Sequence, residues 1–266
     1  MRARYVEIEE RLAAFGEIQA AHRDWARELE RRLDLSWIYH DHALEGVPLT
    51  ATEIADALAG AVATDATLVP MYIEVKALAA AIALIRAEAG SPKLRLGAAF
   101  VKKLHQIAGA GLPGRDKVSW RRDLPLHRAY FHEITPAALV PSELRKLLDF
   151  CATSEFQRFH PLDQAAAIHW GFMRVYPFPE GSGRLARLLQ NLLLMRHGYP
   201  PAIIHAIDRQ RYYETLRHPN TALRLLVAEA AENALAGGLR FFEERAASLR
   251  RRSGFAGQDP GKVDPG

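Results

Sequence analysis

The 266-residue sequence predicts an all-α domain with one small β element. Apolar residues recur at helical spacing along most of the chain, as at Ile8, Leu12 and Phe15. Helix-start and helix-stop signals, such as the capping box that begins at Thr50, separate these periodic segments. Only residues 109–140 lack a helical period and alternate instead, so we predict a hairpin-like flap there.

Each helix is placed by its apolar period and by residues that favour its ends. Pro161 is suited to a first helical position, Gly198 to a helix stop, and Asp208 to capping a short helix. In chain order the predicted helices cover residues 5–33, 50–58, 71–87, 96–107, 141–150, 161–175, 182–197, a short segment around 212–213, and 221–251.

The chain shows no internal repeat and no linker that would separate two domains. We therefore expect one unit, with a helical N-terminal region over residues 1–92 and a core over residues 93–252. Residues 253–266 contain Gly and Pro without an apolar period and are predicted to be disordered.

Composition is that of a soluble globular protein, with 49% hydrophobic and 25% charged residues. We find no apolar run that approaches the ~20 residues of a membrane span, and no signal-peptide core at the N-terminus.

The lone Cys151 cannot form an internal disulfide, which favours a cytoplasmic location. Its apolar neighbours predict a buried small residue instead of a nucleophile. The net charge of +4 is small and scattered, so neither nucleic acid nor a membrane is expected as a partner.

The stretch VYPFPEGSGRLARLLQN, residues 175–191, has the features of an anion-binding loop. Gly181 and Gly183 let the backbone turn tightly, so that N–H groups at the following helix start point outward. Arg184 and Arg187 lie three apart near that same end, where cations oppose the helix dipole. This placement of arginines favours an anionic, phosphate-containing partner.

Glu180 comes directly before the first glycine of this loop. A carboxylate there is well placed to bind Mg²⁺ that bridges phosphates. The alternative is an ordinary loop-to-helix junction whose arginines are exposed to solvent, because short glycine patterns are common.

The segment YPFPEGSGRLAR, residues 176–187, resembles the signature of the Fic family, H-P-F-x-D/E-G-N-G-R-x-x-R. Upstream HPLDQAAAIHWGFMRVYPF and downstream HGYPPAIIHAIDRQRYYETL are also similar to family segments. Residues 109–140 lie where the family has its target-binding flap. The resemblance covers roughly residues 30–245 in separate pieces, so chance is a poor explanation.

The resemblance implies a mostly helical protein that transfers AMP, or another phosphate-linked group, from a nucleotide to a hydroxyl of a target protein. By position, Glu180 would bind Mg²⁺ when ATP is bound. The residues that would line the phosphate and nucleotide site are Phe178, Gly181, Ser182, Gly183, Arg184 and Arg187. Some relatives pair into dimers, so a homodimer is a further expectation.

Two positions depart from the family signature. Tyr176 stands where the family has the histidine that accepts the proton of the target hydroxyl, and Ser182 stands at the asparagine. A histidine pKa of ~6.5 suits a general base, whereas ~10 leaves tyrosine protonated. Losing such a base typically lowers the rate ~10²–10⁴-fold. Ser182 is a milder change, since a hydroxyl and a backbone N–H still reach a phosphate.

The stretch YHDHALEGVPLT, residues 39–50, is similar to the inhibitory helix of autoinhibited Fic proteins, S/T-x-x-x-E-G/N. The resemblance places that helix at about residues 36–46 and implies that Glu45 pairs with Arg187 and competes with the ATP γ-phosphate. Asp41 departs from the Ser/Thr of the motif. The alternative for Glu45 is a surface residue near a helix end.

Histidines elsewhere are predicted to make local hydrogen bonds. His40 and His42 lie two apart on a helix and point in different directions, so we do not expect them to share a metal ion. His160, His169 and His205 are interpreted in the same way, although His169 lies two helical turns before Tyr176.

Two functional hypotheses follow. One is a Fic-type nucleotidyltransferase, a protein adenylyltransferase or a divergent phosphate-group transferase, with Tyr176 in place of the usual base. The other is a catalytically impaired pseudoenzyme that binds a phosphate-containing ligand and acts as a regulatory or interaction module. A third and simpler option is a helical scaffold with a vestigial pocket. The resemblance implies that a target protein would dock on the flap at residues 109–140.

Overall fold

A computed structural model of the chain describes residues 2–63, 65–112, 118–125 and 132–255. These residues form eleven α-helices and three short 3-10 turns and contain no strand, which confirms the predicted all-α class. In chain order the helices are α1 Arg2–Ala21, α2 Arg23–Leu44, α3 Ala51–Ala59, α4 Val69–Ala89, α5 Ala98–Ala108, α6 Val140–Cys151, α7 Ser154–Gln157, α8 Pro161–Val175, α9 Ser182–Arg196, α10 Arg209–Thr215 and α11 Asn220–Phe255.

Helices α8 and α9 form the centre of the bundle. They pack against each other, α4 packs on α9, and α6 and α11 pack on α8. Every residue of α9 from Ser182 to Leu194 is buried. A helix buried on all sides needs an apolar sequence or internal partners for its polar groups. Its two buried arginines therefore require counter-charges, which the site described below supplies.

Several predicted helix ends are confirmed. Thr50 Oγ1 accepts from the Glu53 backbone N–H at 3.2 Å, and a Glu53 carboxylate oxygen accepts from the Thr50 N–H at 2.7 Å. This reciprocal pair is the predicted capping box of α3. Pro161 is the first residue of α8, and Gly198 follows α9 with φ of 82°.

The single helix predicted over residues 5–33 is wrong, because the chain breaks at His22. That residue has φ of −129° and ψ of 62°, outside the helical region. The bend stacks the His22 ring on Trp25 at 4.2 Å between centroids and brings both rings beside Phe242 of α11. Helix α2 then continues to Leu44, so the helix expected at residues 36–46 is its C-terminal part.

The hairpin predicted within residues 109–140 is wrong for the part of it that the structure describes. There the backbone donors pair with the end of α8 and the loop after it, Arg121 N with Pro177 O at 2.9 Å and Thr135 N with Arg174 O at 2.8 Å. These donors are consequently not used in a strand ladder. Residues 113–117 and 126–131 lie outside the described residues. So do residues 256–266 of the predicted disordered tail, whereas its first three residues belong to α11.

The expectation that no apolar run approaches the length of a membrane span is wrong for helix α4. With the turn before it, Ala66–Ala89 is long and apolar enough to cross a membrane by length and composition. In this structure the helix packs against α3, α5 and α9 and buries Val75, Leu78 and Ile82. Its apolar composition contributes to the core.

Burial of Cys151 is confirmed, and burial raises the pKa of its thiol to about 12. The thiol is therefore protonated and unreactive at neutral pH. The division at residues 92 and 93 remains a prediction, but one apolar cluster joins both sides of it, from Ile8 and Phe15 of α1 to Phe242 of α11.

Gly238 of α11 lies so close to Phe15 that a Cβ there would be 2.5 Å from ring atom Cε2. Because the Phe15 ring is buried and cannot swing away, we expect Gly238→Ala to lower the free energy of unfolding by about 1–3 kcal/mol. Urea denaturation measures this change. Gly237→Ala is the matched control, since nothing lies within 4 Å of its added Cβ. Equal effects of the two substitutions would contradict the packing argument.

Candidate functional site

Tyr176 ends helix α8 in a strained backbone conformation. Its φ of 45° and ψ of 65° are left-handed, and it is the one non-glycine residue with positive φ among those the structure describes. Such a conformation costs about 1–3 kcal/mol and is typical of functional sites. Its side chain is 1% exposed. The position expected to hold the proton acceptor is thus constrained, and its ring lies in the interior.

Arg121 fixes the chain around Tyr176. Its Nε donates to the Tyr176 carbonyl at 2.6 Å, and its Nη2 donates to the carbonyls of Val175, at 3.2 Å, and Thr135. The guanidinium is buried and satisfies carbonyls at the C-terminus of α8, where a cation is favoured. Arg121 was not among the residues predicted from the sequence, because a side chain that binds backbone carbonyls leaves no recognisable pattern.

The loop after Tyr176 closes on itself through Ser182. The Ser182 hydroxyl donates to the Phe178 carbonyl at 3.0 Å and accepts from the Phe178 N–H at 2.9 Å. The Phe178 ring stacks on His105 with centroids 3.8 Å apart. Both residues were predicted to line the phosphate site, but their side chains serve the loop and the core. Gly181 takes φ of 78° and leads into α9, whose first backbone N–H groups have no acceptor within the helix.

Arg184 and Arg187 are buried, which rules out the alternative of a junction with solvent-exposed arginines. The carboxylate of Asp41 joins them, accepting from Arg184 Nε at 2.9 Å and from Arg187 Nε at 2.8 Å. Burial alone would raise the pKa of Asp41, but the charges of Arg187 and Arg184 hold it below its usual range. Asp41 is therefore an ionised bridge between the two arginines of the motif.

Glu45 forms the pair with Arg187 that the sequence predicts. Its Oε1 accepts from Arg187 Nη2 at 2.8 Å, and its side chain is 21% exposed. The same Oε1 lies 2.9 Å from where a Cβ on Gly183 would stand, over the first turn of α9. A carboxylate in this place is favoured by the helix dipole. Glu45 is consequently an internal anion at the start of α9, not a free surface residue.

A third carboxylate, that of Glu74 in α4, also lies beside the buried arginines. Its Oε2 lies 3.4 Å from Arg184 Nη2 and 3.7 Å from His42 Nε2. Burial and the nearby charge of Arg184 lower the pKa of His42, so its ring is neutral at pH 7. Three carboxylates thus surround two guanidinium groups, and Asp41 and Glu74 were not identified as site residues from the sequence.

His160 and His169 make hydrogen bonds, as expected, and His160 Nδ1 accepts from the Leu162 N–H at 3.3 Å. His169 Nδ1–H donates to Gln190 Oε1 at 2.6 Å, and its Nε2 accepts from the Tyr212 hydroxyl at 2.9 Å. Burial lowers the pKa of His169 to about 3, so it stays neutral and acts as a core residue. His40 stacks on His205 at 4.2 Å between centroids.

Glu180 is exposed at the mouth of the loop. Among the described residues there is no group of three or more His, Cys, Asp or Glu side chains that could hold a metal ion by itself. Mg²⁺, however, commonly binds one or two carboxylates together with phosphate oxygens and water. Glu180 fits that mode, in which the phosphate ligand supplies the remaining oxygens.

Fold and site together define a class: a helical domain whose central helix begins at a glycine-containing loop and carries two buried arginines held by carboxylates of an upstream helix. Residues 95–194 match the family model described as the Fic/DOC family. A Fic-domain signaling protein from Bacteroides thetaiotaomicron has the same fold, with a TM-score of 0.77, 21% identity, and coverage of 89% of this chain and 97% of that one. Fic-1 from C. elegans gives a TM-score of 0.74 at 23% identity over 92% of this chain and 74% of that one. Residues 95–194 are therefore similar to the Fic/DOC family, and the chain has a Fic-like fold.

Relatives by sequence carry the name protein adenylyltransferase Fic. The protein from Drosophila grimshawi is 27% identical over 221 residues, which are 82% of this chain and 44% of that protein. The one from Aedes aegypti is 27% identical over 198 residues, which are 73% of this chain and 38% of that protein. The chain therefore spans less than half the length of these relatives.

Proposed function

We propose that this protein binds a nucleotide, with ATP as the first candidate, or another phosphate-containing ligand at the loop Gly181–Gly183. The observation that carries the proposal is the pair of buried arginines beside the start of α9, each held by a carboxylate. The loop, the arginines and the helix dipole all favour an anion, and Glu45 occupies that place in this structure. The protein is autoinhibited, because the ligand must displace Glu45.

AMP transfer to a hydroxyl of a target protein is the reaction that we assign to the bound ATP, as the names of the relatives support. In that reaction the hydroxyl oxygen forms a bond to the α-phosphorus, the bond from this phosphorus to the bridging oxygen breaks, and pyrophosphate leaves. The backbone N–H groups at Gly181 and Gly183 would hold the α-phosphate. Glu180 would hold Mg²⁺, whose charge offsets that of the phosphates when the ligand is bound.

The target protein would dock along the flap. Arg121 and Thr135, on either side of residues 126–131, both bond to the chain around Tyr176. A target segment laid along this part of the surface would bring its hydroxyl toward the motif loop. We also propose a homodimer, from the resemblance alone, and a cytoplasmic location, from the lone Cys151.

A second candidate function is a binding module without transfer, and Tyr176 favours it. The hydroxyl proton must pass to an acceptor, and a tyrosine with a pKa of ~10 is protonated at neutral pH. Its ring is also buried, whereas a general base must reach the proton that it removes. In this case ligand binding would control contact with a partner protein, without turnover.

Ligand binding is tested by thermal denaturation of wild type and Glu45→Gly with Mg²⁺-ATP, ADP and AMP. We expect the Glu45→Gly variant to be stabilised more than wild type, because its internal anion is gone. A ligand at 100 times its Kd stabilises by about 2.7 kcal/mol. Arg187→Ala in the same background is the control and should abolish the response. A Glu45→Gly protein that no nucleotide stabilises would contradict the proposed function.

A further inference from the structure

We propose that Asp41 is a specificity-determining residue that keeps Arg184 and Arg187 neutralised after Glu45 is displaced. The opened site would then hold ATP, or another ligand, through one phosphate group and would gain no affinity from further phosphates. The proposal rests on the proposed phosphate-binding function, and it concerns which ligands the site prefers.

Asp41 and Glu45 accept hydrogen bonds from different atoms of the guanidinium groups. Both Asp41 oxygens accept from Nε atoms, one from Arg184 and one from Arg187. Glu45 accepts from Nη2 of Arg187. Displacing Glu45 therefore releases one edge of one arginine, whereas the Nε donors of both stay occupied.

Asp41 is also much harder to displace than Glu45. The side chain of Asp41 is fully buried, one helical turn inside α2. Glu45 caps the end of α2, is partly exposed, and precedes Gly46 with φ of 88°. The end of α2 is held at Leu44, whose carbonyl accepts from Arg209 Nε at 2.9 Å. A ligand can move Glu45 outward by rotating its side chain, but freeing Asp41 requires α2 itself to shift.

The hydrogen-bond donors that Glu45 releases are enough to bind one phosphate group. Arg187 Nη1 is buried, has no hydrogen-bond partner, and lies 3.3 Å from where a Gly183 Cβ would stand. It points to the same space over α9 that the Glu45 carboxylate fills. With Nη2 released, a single planar edge of Arg187 and the N–H groups at the start of α9 face one anion.

Charge balance leads to the same conclusion. Once Glu45 moves away, Asp41 and Glu74 remain against Arg184 and Arg187, so the side chains of the cluster carry no net charge. A single phosphate is stabilised by the helix dipole and one guanidinium edge. Further phosphates would meet the buried charge of Asp41, while Asp41 and Glu74 already balance the charges of both arginines.

The test uses orthophosphate and tripolyphosphate as probes, with titration calorimetry on the full chain. In Glu45→Gly we expect the two anions to bind with similar affinity. In Asp41→Ser/Glu45→Gly, tripolyphosphate should bind at least about tenfold more tightly than orthophosphate, since both arginines are free. Asp34→Asn/Glu45→Gly is the matched control, because Asp34 is another acid of α2 that pairs with Arg86 away from the site. Its anion preference should equal that of Glu45→Gly.

Two results would overturn the inference: a tenfold preference for tripolyphosphate in Glu45→Gly alone, or a folded Asp41 double variant without that preference. Asp41→Asn/Glu45→Gly, which keeps the shape of the side chain, serves if the serine variant does not fold. If tripolyphosphate binds as expected but no nucleotide does, the inference stands and the proposed nucleotide function fails. If neither anion binds any variant, both are wrong.

Discussion

Tyr176→His in the Glu45→Gly background is expected to raise the rate of AMP transfer by about 10²–10⁴-fold over Glu45→Gly alone. The substitution places a group with a pKa of ~6.5 where the target hydroxyl must lose its proton. Neutral imidazole accepts that proton at pH 7, whereas the tyrosine hydroxyl is already protonated. Comparing both proteins in one background and at saturating ATP cancels the effects of α2 on ATP affinity.

The backbone at residue 176 favours this substitution. Histidine is enriched several-fold among non-glycine residues with left-handed φ, so the conformation at φ of 45° suits it. Arg121 holds the carbonyl of residue 176 whatever side chain is present. The turn should therefore keep its shape while the reactive group changes.

Intact-mass analysis of the protein and of lysate proteins incubated with Mg²⁺-ATP measures the transfer. Tyr176→Phe in the same background is the control, since it removes the hydroxyl without adding a base, and it should not raise the rate. If the histidine variant binds ATP but transfers no more AMP than the phenylalanine variant, the missing base is not what limits this site. That result would favour the second candidate, a binding module.

Local pattern was sufficient to predict most of the helices. The start of α9 at Ser182 and the capping box of α3 depend on residues within one or two turns, and both were predicted. The break at His22 could not be predicted, because it depends on contact with Phe242, which is distant in sequence. The hairpin was predicted wrongly for a similar reason. The backbone N–H groups of Arg121 and Thr135 donate to carbonyls at and just after the end of α8, which are distant in sequence.

The candidate site was predicted only in part. Resemblance identified the pair of Glu45 and Arg187, which the structure contains. Asp41 was treated as a departure from the motif, although its spacing of four from Glu45 places both carboxylates on one helix face. Glu74 also left a signal, as an acidic residue in the apolar sequence of α4. Arg121 left none, because its partners are backbone carbonyls.

Asp41→Asn is expected to lower the free energy of unfolding by about 3–5 kcal/mol, the usual result of removing one partner from a buried ion pair. The amide cannot balance two buried guanidinium groups, even though Glu74 contacts Nη2 of Arg184 and Glu45 contacts Nη2 of Arg187. Because the pKa of Asp41 is held below its usual range in the folded protein, its contribution is present at neutral pH and is lost as the pH falls through that folded-state value.

Urea denaturation at pH 7 measures this change, and Asp34→Asn provides the comparison. Asp34 pairs with Arg86 in a partly exposed position, and burial raises its pKa to about 6, so its loss should change the free energy of unfolding by no more than about 1 kcal/mol. Both variants remove one carboxylate charge from α2, so the difference between them isolates the effect of the buried arginines. Similar losses in the two variants would mean that Asp41 does not stabilise the buried Arg184 and Arg187. That result would contradict both the stabilising role of Asp41 and the ligand preference proposed for it.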